Sequence, residues 1–172
     1  LVEHDILTVL EDTVLADAEI IRVSAHRGIG VSELINRLAA LLADIPAHAD
    51  YNKPRLPVDR VFTISGFGTV VTGTLLGGTL HVGDEVDIQP SGRRGRIRGL
   101  QSHKQAVERL QPGSRAAVNL AGIDKSAVQR GHVLTFPGQI QPTILVDVLF
   151  RHLASAPRAL KHNAQIKFFS GT

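Results

Sequence analysis

The chain has 172 residues with no cysteine, no methionine, no tryptophan and a single tyrosine. Without cysteine, disulfides and thiolate-bound zinc are excluded. Aromatic residues make up 4%, so a core must be built from Val, Ile, Leu and Ala. There is no run of 18 apolar residues, hence no membrane-spanning helix. The opening LVEHDILTVLED carries acids and lacks the basic stretch of a secretory signal. With no methionine even at position 1, the sequence reads as an internal piece of something longer.

What is present is globular: 43% hydrophobic, 20% charged, formal net charge +3. That balance permits an anionic partner without demanding one. The eight histidines are scattered, with no HxH, HExxH or His pair beside two carboxylates, so no metal site is expected. No Ser-His-Asp set or paired carboxylates appear in a recognisable acid–base context, so no catalytic group is expected.

The apolar spacing changes along the chain. Residues 1–17 place Val2, Ile6, Leu7, Leu10 and Val14 at helical intervals. EIIRV (19–23) reads as a short strand, and 24–30 as a glycine-bent loop. Ser32 is the expected N-cap of a helix whose stripe is Leu34, Ile35, Leu38, Leu41, Leu42 and Ile45, stopped by Pro46. This order is the last part of an α/β unit. Pro46, Pro54 and Pro57 mark a linker. Beyond it the period falls to two, with strands expected at 58–65, 69–76, 85–89, 95–102, 115–121 and 132–136. Short, evenly spaced strands predict a closed β-barrel, which leaves no exposed edge. After Pro137-Gly138 and Pro142, further strands are expected at 144–150 and 165–169. The expected fold is therefore mainly β, with domains at 1–47 (incomplete α/β), 54–137 (barrel) and 140–172 (start of a second barrel).

Three features compete for function. GFGTVVTG (66–73) is glycine-rich but lacks the spacing and lysine of a phosphate loop, and reads as a tight barrel turn. RRGRIR (93–98) is the densest basic cluster, with Arg96 and Arg98 on one strand face and Ile97 on the other. It is either a phosphate-contacting edge for RNA or a solvated face that discourages aggregation. Asp59 and Arg60 open an otherwise apolar strand, an arrangement that fits a pocket for a charged group. Arg115 opens a strand in which Ala116, Val118 and Leu120 face inward, so Arg115 lies on the opposite face or the rim.

PVDRVFTI (57–64), GFGTVVTGT (66–74), VGDEV (82–86), PGSRAAVNL (112–120) and RGHVL (130–134) occur in the order seen in the second domain of translational GTPases. The chain thus resembles the elongation factor Tu superfamily. Thr74, the run Leu120-Ala121-Gly122, and SAPRALKH (155–162) with Ser170-Gly171-Thr172 behind it are similar to the selenocysteine-specific elongation factors, the SelB family. That resemblance implies delivery of selenocysteinyl-tRNA to the ribosome. GTP or GDP with Mg²⁺ would act in the full-length protein and none is expected in this segment. A messenger-RNA hairpin would be bound by a region beyond it, in the cytoplasm and without a membrane.

Residue by residue, the resemblance carries the aminoacyl pocket onto Asp59, Arg60 and Arg115, and a guanine-contacting backbone onto Ser24 and Ala25. The phosphate loop, the magnesium-binding switches and the NKxD motif are not in this sequence. GTP hydrolysis by this segment alone is not expected. The alternatives are a translational GTPase handling ordinary aminoacyl-tRNA, and a β-barrel interaction module without a tRNA role.

Overall fold

The computed structural model describes residues 2–153 and 155–168. The chain divides into two compact units, residues 1–47 and 48–172.

The first unit holds two helices, α1 (Val2–Leu10) and α2 (Val31–Asp44). The helix expected through residue 17 ends at Leu10. The Thr13 hydroxyl donates to the Leu10 carbonyl (2.8 Å) and accepts from the Leu15 N–H (3.1 Å), so a side chain replaces the next helical turn. Helix α2 begins two residues earlier than expected: Gly30 is its N-cap, in the left-handed region, and Ser32 lies inside the helix without a capping bond. The strand expected at 19–23 does not form. The stretch has no neighbouring strand to pair with, and the one bridge beside it, Ser24 with Ile29, lies in the following loop.

The second unit is mainly β. Its strands are β1 (Arg55–Pro57), β2 (Arg60–Ile64), β3 (Gly68–Thr74), β4 (Leu80–His81), β5 (Glu85–Gln89), β6 (Arg93–Ser102), β7 (Gln105–Val107), β8 (Arg109–Leu110), β9 (Arg115–Ala121) and β10 (Val133–Thr135). Seven follow the antiparallel order β1-β10-β5-β6-β9-β3-β2; β7 pairs with β6, and β4 with β8. The two ends of this path, β1 and β2, are consecutive in the chain, separated by Val58 and Asp59. An isolated bridge pairs Arg55 of β1 with Leu76, just past β3.

The inward faces meet in a core of Leu56, Val71, Ile88, Ile97, Val118 and Leu134, each at most 1% exposed, with their neighbours. Along β9 the alternation is regular: Ala116, Val118 and Leu120 are buried between more exposed partners. In β6 it is broken. Ile97 and Leu100 are both buried although three apart, because the pairing with β9 slips by one residue between Ile97 and Gly99.

The strands expected at 144–150 and 165–169 are absent among the described residues; Phe169 lies outside them. Residues 140–168 form no ladder, and Ile144 and Leu149 are fully exposed. Their alternation has no partner strand against which to bury a face.

Candidate functional site

Strand pairing brings together residues far apart in sequence. Strand β3 lies between β2 and β9, with Thr72 opposite both Arg60 and Ala117, and Thr74 opposite Arg115. Val71 and Gly73 point to the core, so Thr72 and Thr74 stand on the outer face. Asp59 sits at the mouth of β2, where its N–H donates to the Thr72 carbonyl (2.9 Å). From there its carboxylate accepts a hydrogen bond from the Thr72 hydroxyl (2.5 Å) on one oxygen. On the other it pairs with the Arg115 guanidinium, 56 residues away.

Asp59 is 19% exposed at its side chain and Arg115 53%. Partial burial of the Asp59 carboxyl pushes its pKa up. The hydrogen bonds from Arg115 and Thr72, and the positive charges of Arg115 and Arg60, outweigh this and hold it below the ordinary value. The same ion pair raises the pKa of Arg115. Arg60 makes no ion pair among the described residues, although its charge acts on Asp59. The cluster therefore has one neutralised arginine and one unneutralised arginine, a local charge of +1. It lies on an open face of the sheet, and the outer face of β2 continues it with exposed Phe62 and Ile64.

The profile of elongation factor Tu domain 2 matches residues 68–135. A selenocysteine-specific elongation factor of Desulfomicrobium baculatum is 42% identical over all 172 residues. The chain is a homologue of selenocysteine-specific elongation factors. It spans 27% of that relative's length. Translation elongation factor SelB from Methanococcus maripaludis, solved in complex with the GTP analogue GPPNHP, superposes with a TM-score of 0.73 at 33% identity. That alignment covers 78% of this chain and 30% of the other. Elongation factor 1-alpha of Pyrobaculum aerophilum is 41% identical over 107 residues, 62% of this chain and 24% of its own. This homologue of the selenocysteine factors thus also shares much of its length with a general elongation factor.

The other candidate residues do not join the cluster. In the first unit, the Ser24 N–H is already donated to the Ile29 carbonyl (2.9 Å), whereas Ala25 is exposed in the turn. No group of three His, Asp or Glu residues among the described residues could hold a metal ion.

In the second unit, the basic strand β6 is half neutralised across the sheet: Arg94 pairs with Asp87 (2.9 Å) and Arg96 faces Glu85 (3.8 Å). That pattern favours a solvated face over a phosphate edge. A pocket is expected around Asp59, Arg60 and Arg115. Neither of two cavities, about 530 Å³ and 400 Å³, includes any of the three. Thr72 was not among the sequence candidates. A hydroxyl residue at an outward position between valine and glycine was the available signal, and it became informative only once Thr72 was known to face Asp59.

Proposed function

We propose that this chain supplies the aminoacyl-receiving surface of a selenocysteine-specific elongation factor. The carrying observation is the Asp59–Arg115 ion pair, buttressed by Thr72, beside an Arg60 that has no ion-pair partner among the described residues. In this reading Asp59 fixes Arg115 in place and Arg60 supplies the free positive charge. A selenol is more acidic than a thiol, whose free pKa is roughly 8.5, so selenocysteine arrives as an anion. Serine, on the precursor tRNA, arrives neutral. The selenolate meets a cluster of net charge +1, whereas serine leaves desolvated guanidinium without a counter-charge, a cost on the order of a few kcal/mol. Rejection of the wrong ligand thus adds to attraction of the right one.

The wider reading extends this. The sheet closes into a barrel through the bend at Val58–Asp59, which links its two end strands. The Ser24–Ala25 turn meets guanine through the Ala25 N–H once the phosphate-binding parts of a GTPase domain are present. The whole protein delivers selenocysteinyl-tRNA to the ribosome in the cytoplasm, with GTP hydrolysis as the timer and a messenger-RNA hairpin read by another region. The chain itself performs no chemistry.

Binding of selenocysteinyl-tRNA and of its seryl precursor, measured side by side, tests this. The selenocysteinyl form should bind more tightly, and Arg60→Ala should reduce that preference about tenfold or more, the loss of one charge-assisted contact. The likeness to elongation factor 1-alpha favours a second reading, a factor for ordinary aminoacyl-tRNA. Equal affinity for the two tRNAs would select it. Absence of tRNA binding at any ionic strength would leave a plain interaction module.

A further inference from the structure

A second site lies away from the Asp59 cluster. The chain bends at Asn52 (φ 54°) beside Gly77, and the N–H groups of Tyr51 and Lys53 both donate to the Gly77 carbonyl (3.0 and 2.9 Å). Pro54 and Leu56 turn inward and are buried. Tyr51, Lys53 and Arg55 are exposed. With Gly77, Gln139 and Ile140 they line a cavity of about 530 Å³, within the range of small-ligand sites.

The lining has a definite chemistry. Lys53 and Arg55 make no ion pair among the described residues. The nearby Asp50 forms no ion pair with either. Its carboxylate accepts from the Thr79 hydroxyl (2.5 Å) and the Asn52 N–H (2.7 Å), bonds that hold its pKa below the ordinary value. Gln139 is held by its side-chain amide to the Asn52 carbonyl (3.0 Å), which ties that wall to the bend at Asn52. Gly77 has φ +68°, and a Cβ there would lie 2.9 Å from the Lys53 carbonyl and within 4 Å of the Arg55 guanidinium. A side chain at 77 would crowd the cavity. Tyr51, 71% exposed, offers a free ring face beside the two cations.

Two unneutralised cations next to an aromatic ring match a phosphate that carries a planar base. We propose that this cavity binds a nucleoside phosphate unit, with the base stacked on Tyr51 and the phosphate held by Lys53 and Arg55. Stacking on an aromatic side chain tolerates any base, and the two cations track the backbone charge. The unit is either a free mononucleotide or one residue of a single-stranded RNA.

Tyr51 is the one tyrosine of the chain and there is no tryptophan, so intrinsic tyrosine fluorescence reports on this site alone. Titration with adenosine monophosphate and with a six-residue oligoadenylate, corrected for absorption, should give saturable quenching that weakens as salt rises. Quenching by both ligands identifies a mononucleotide site; quenching by the oligomer alone identifies an RNA strand. The Lys53→Ala/Arg55→Ala double variant keeps the fluorophore and alters two exposed side chains. It should lose at least about tenfold in affinity while its thermal melt is unchanged. Lys53→Glu should weaken binding in the same direction. The proposal is overturned if neither ligand quenches, if the folded double variant binds as the parent does, or if adenosine without phosphate binds as well as the monophosphate.

Discussion

Residues 55–135 and residues 140–168 are both rich in alternating aliphatic residues, yet they end in opposite states. Leu56, Val86 and Leu134 are fully buried, whereas Leu145, Leu149 and Ile166 are largely or fully exposed. Local propensity does not separate them, since ILVDVLF is as good a strand sequence as EVDIQ. The difference is partners. Glu85–Gln89 is flanked by β6 on one side and β10 on the other, and two ladders fix which face turns inward. Residues 144–150 have no strand beside them. A β pattern states a willingness to pair, and pairing supplies the burial.

That contrast can be attacked with single substitutions. The largest effect is expected inside the sheet. Leu56→Ala should cost about 2–5 kcal/mol in urea denaturation, as for other buried leucines. Gly73→Ala should cost about 3 kcal/mol or more, since its Cβ would fall 2.2 Å from the Pro57 carbonyl oxygen and 2.7 Å from Leu56 Cδ2. Neither is a neighbour that can swing away freely. A Leu56→Ala midpoint within error of the parent would mean that the core does not depend on this junction of the sheet's two ends.

At the Asp59 cluster the effect is smaller. Arg115→Ala removes the ion pair of a half-exposed arginine, and solvent screening limits the loss to about 1 kcal/mol. It should be read in a denaturation series together with tRNA binding. A loss of binding with stability nearly unchanged separates a ligand role from a structural one.

Acid titration sharpens this further. The Asp59 pKa lies below its ordinary value of 3.8 in the folded state, so the unfolded chain binds more protons in that range. The stability that Asp59 contributes is present above that value and is lost as pH falls through the lower, folded one. Asp59→Asn should flatten that part of the acid unfolding curve by less than about 1 kcal/mol. A curve of unchanged slope would show that the carboxylate is not held by Arg115 and Thr72 in solution. The smallest effect is expected at Leu149→Ala, within about 0.5 kcal/mol, because no packing is lost. A large effect there would mean that residues 140–168 pack in solution.

Much of the sheet was legible from local pattern. The strands 85–89 and 115–121 were read with their observed limits, and Ile97 turns inward between outward Arg96 and Arg98 as expected. Local pattern failed where one residue changed the register. The slip between Ile97 and Gly99 puts Leu100 on the same side as Ile97, which a strict period of two forbids. It failed again where a side chain took over a backbone role, as at Thr13, where α1 stops at Leu10, seven residues before the expected end at residue 17. The candidate site was legible as residue types. Asp59, Arg60 and Arg115 stood out as charges at the mouths of apolar strands. Their unequal roles were not legible, because which arginine Asp59 neutralises depends on the register of β3 with its two neighbours.

The amino-acid sequence by itself determined the strand-forming segments, the glycine-marked turns, the cysteine-free aliphatic core and the likeness to selenocysteine-specific factors, because period, turn chemistry and composition are local properties. Tertiary structure alone decided which segments found partners, that Asp59 meets Arg115 across 56 residues while Arg60 keeps its charge, and that Tyr51, Lys53 and Arg55 border a cavity with Gln139. These are contacts between segments distant in the chain. Their energies depend on burial and on the charge of neighbours that appear only when the sheet assembles.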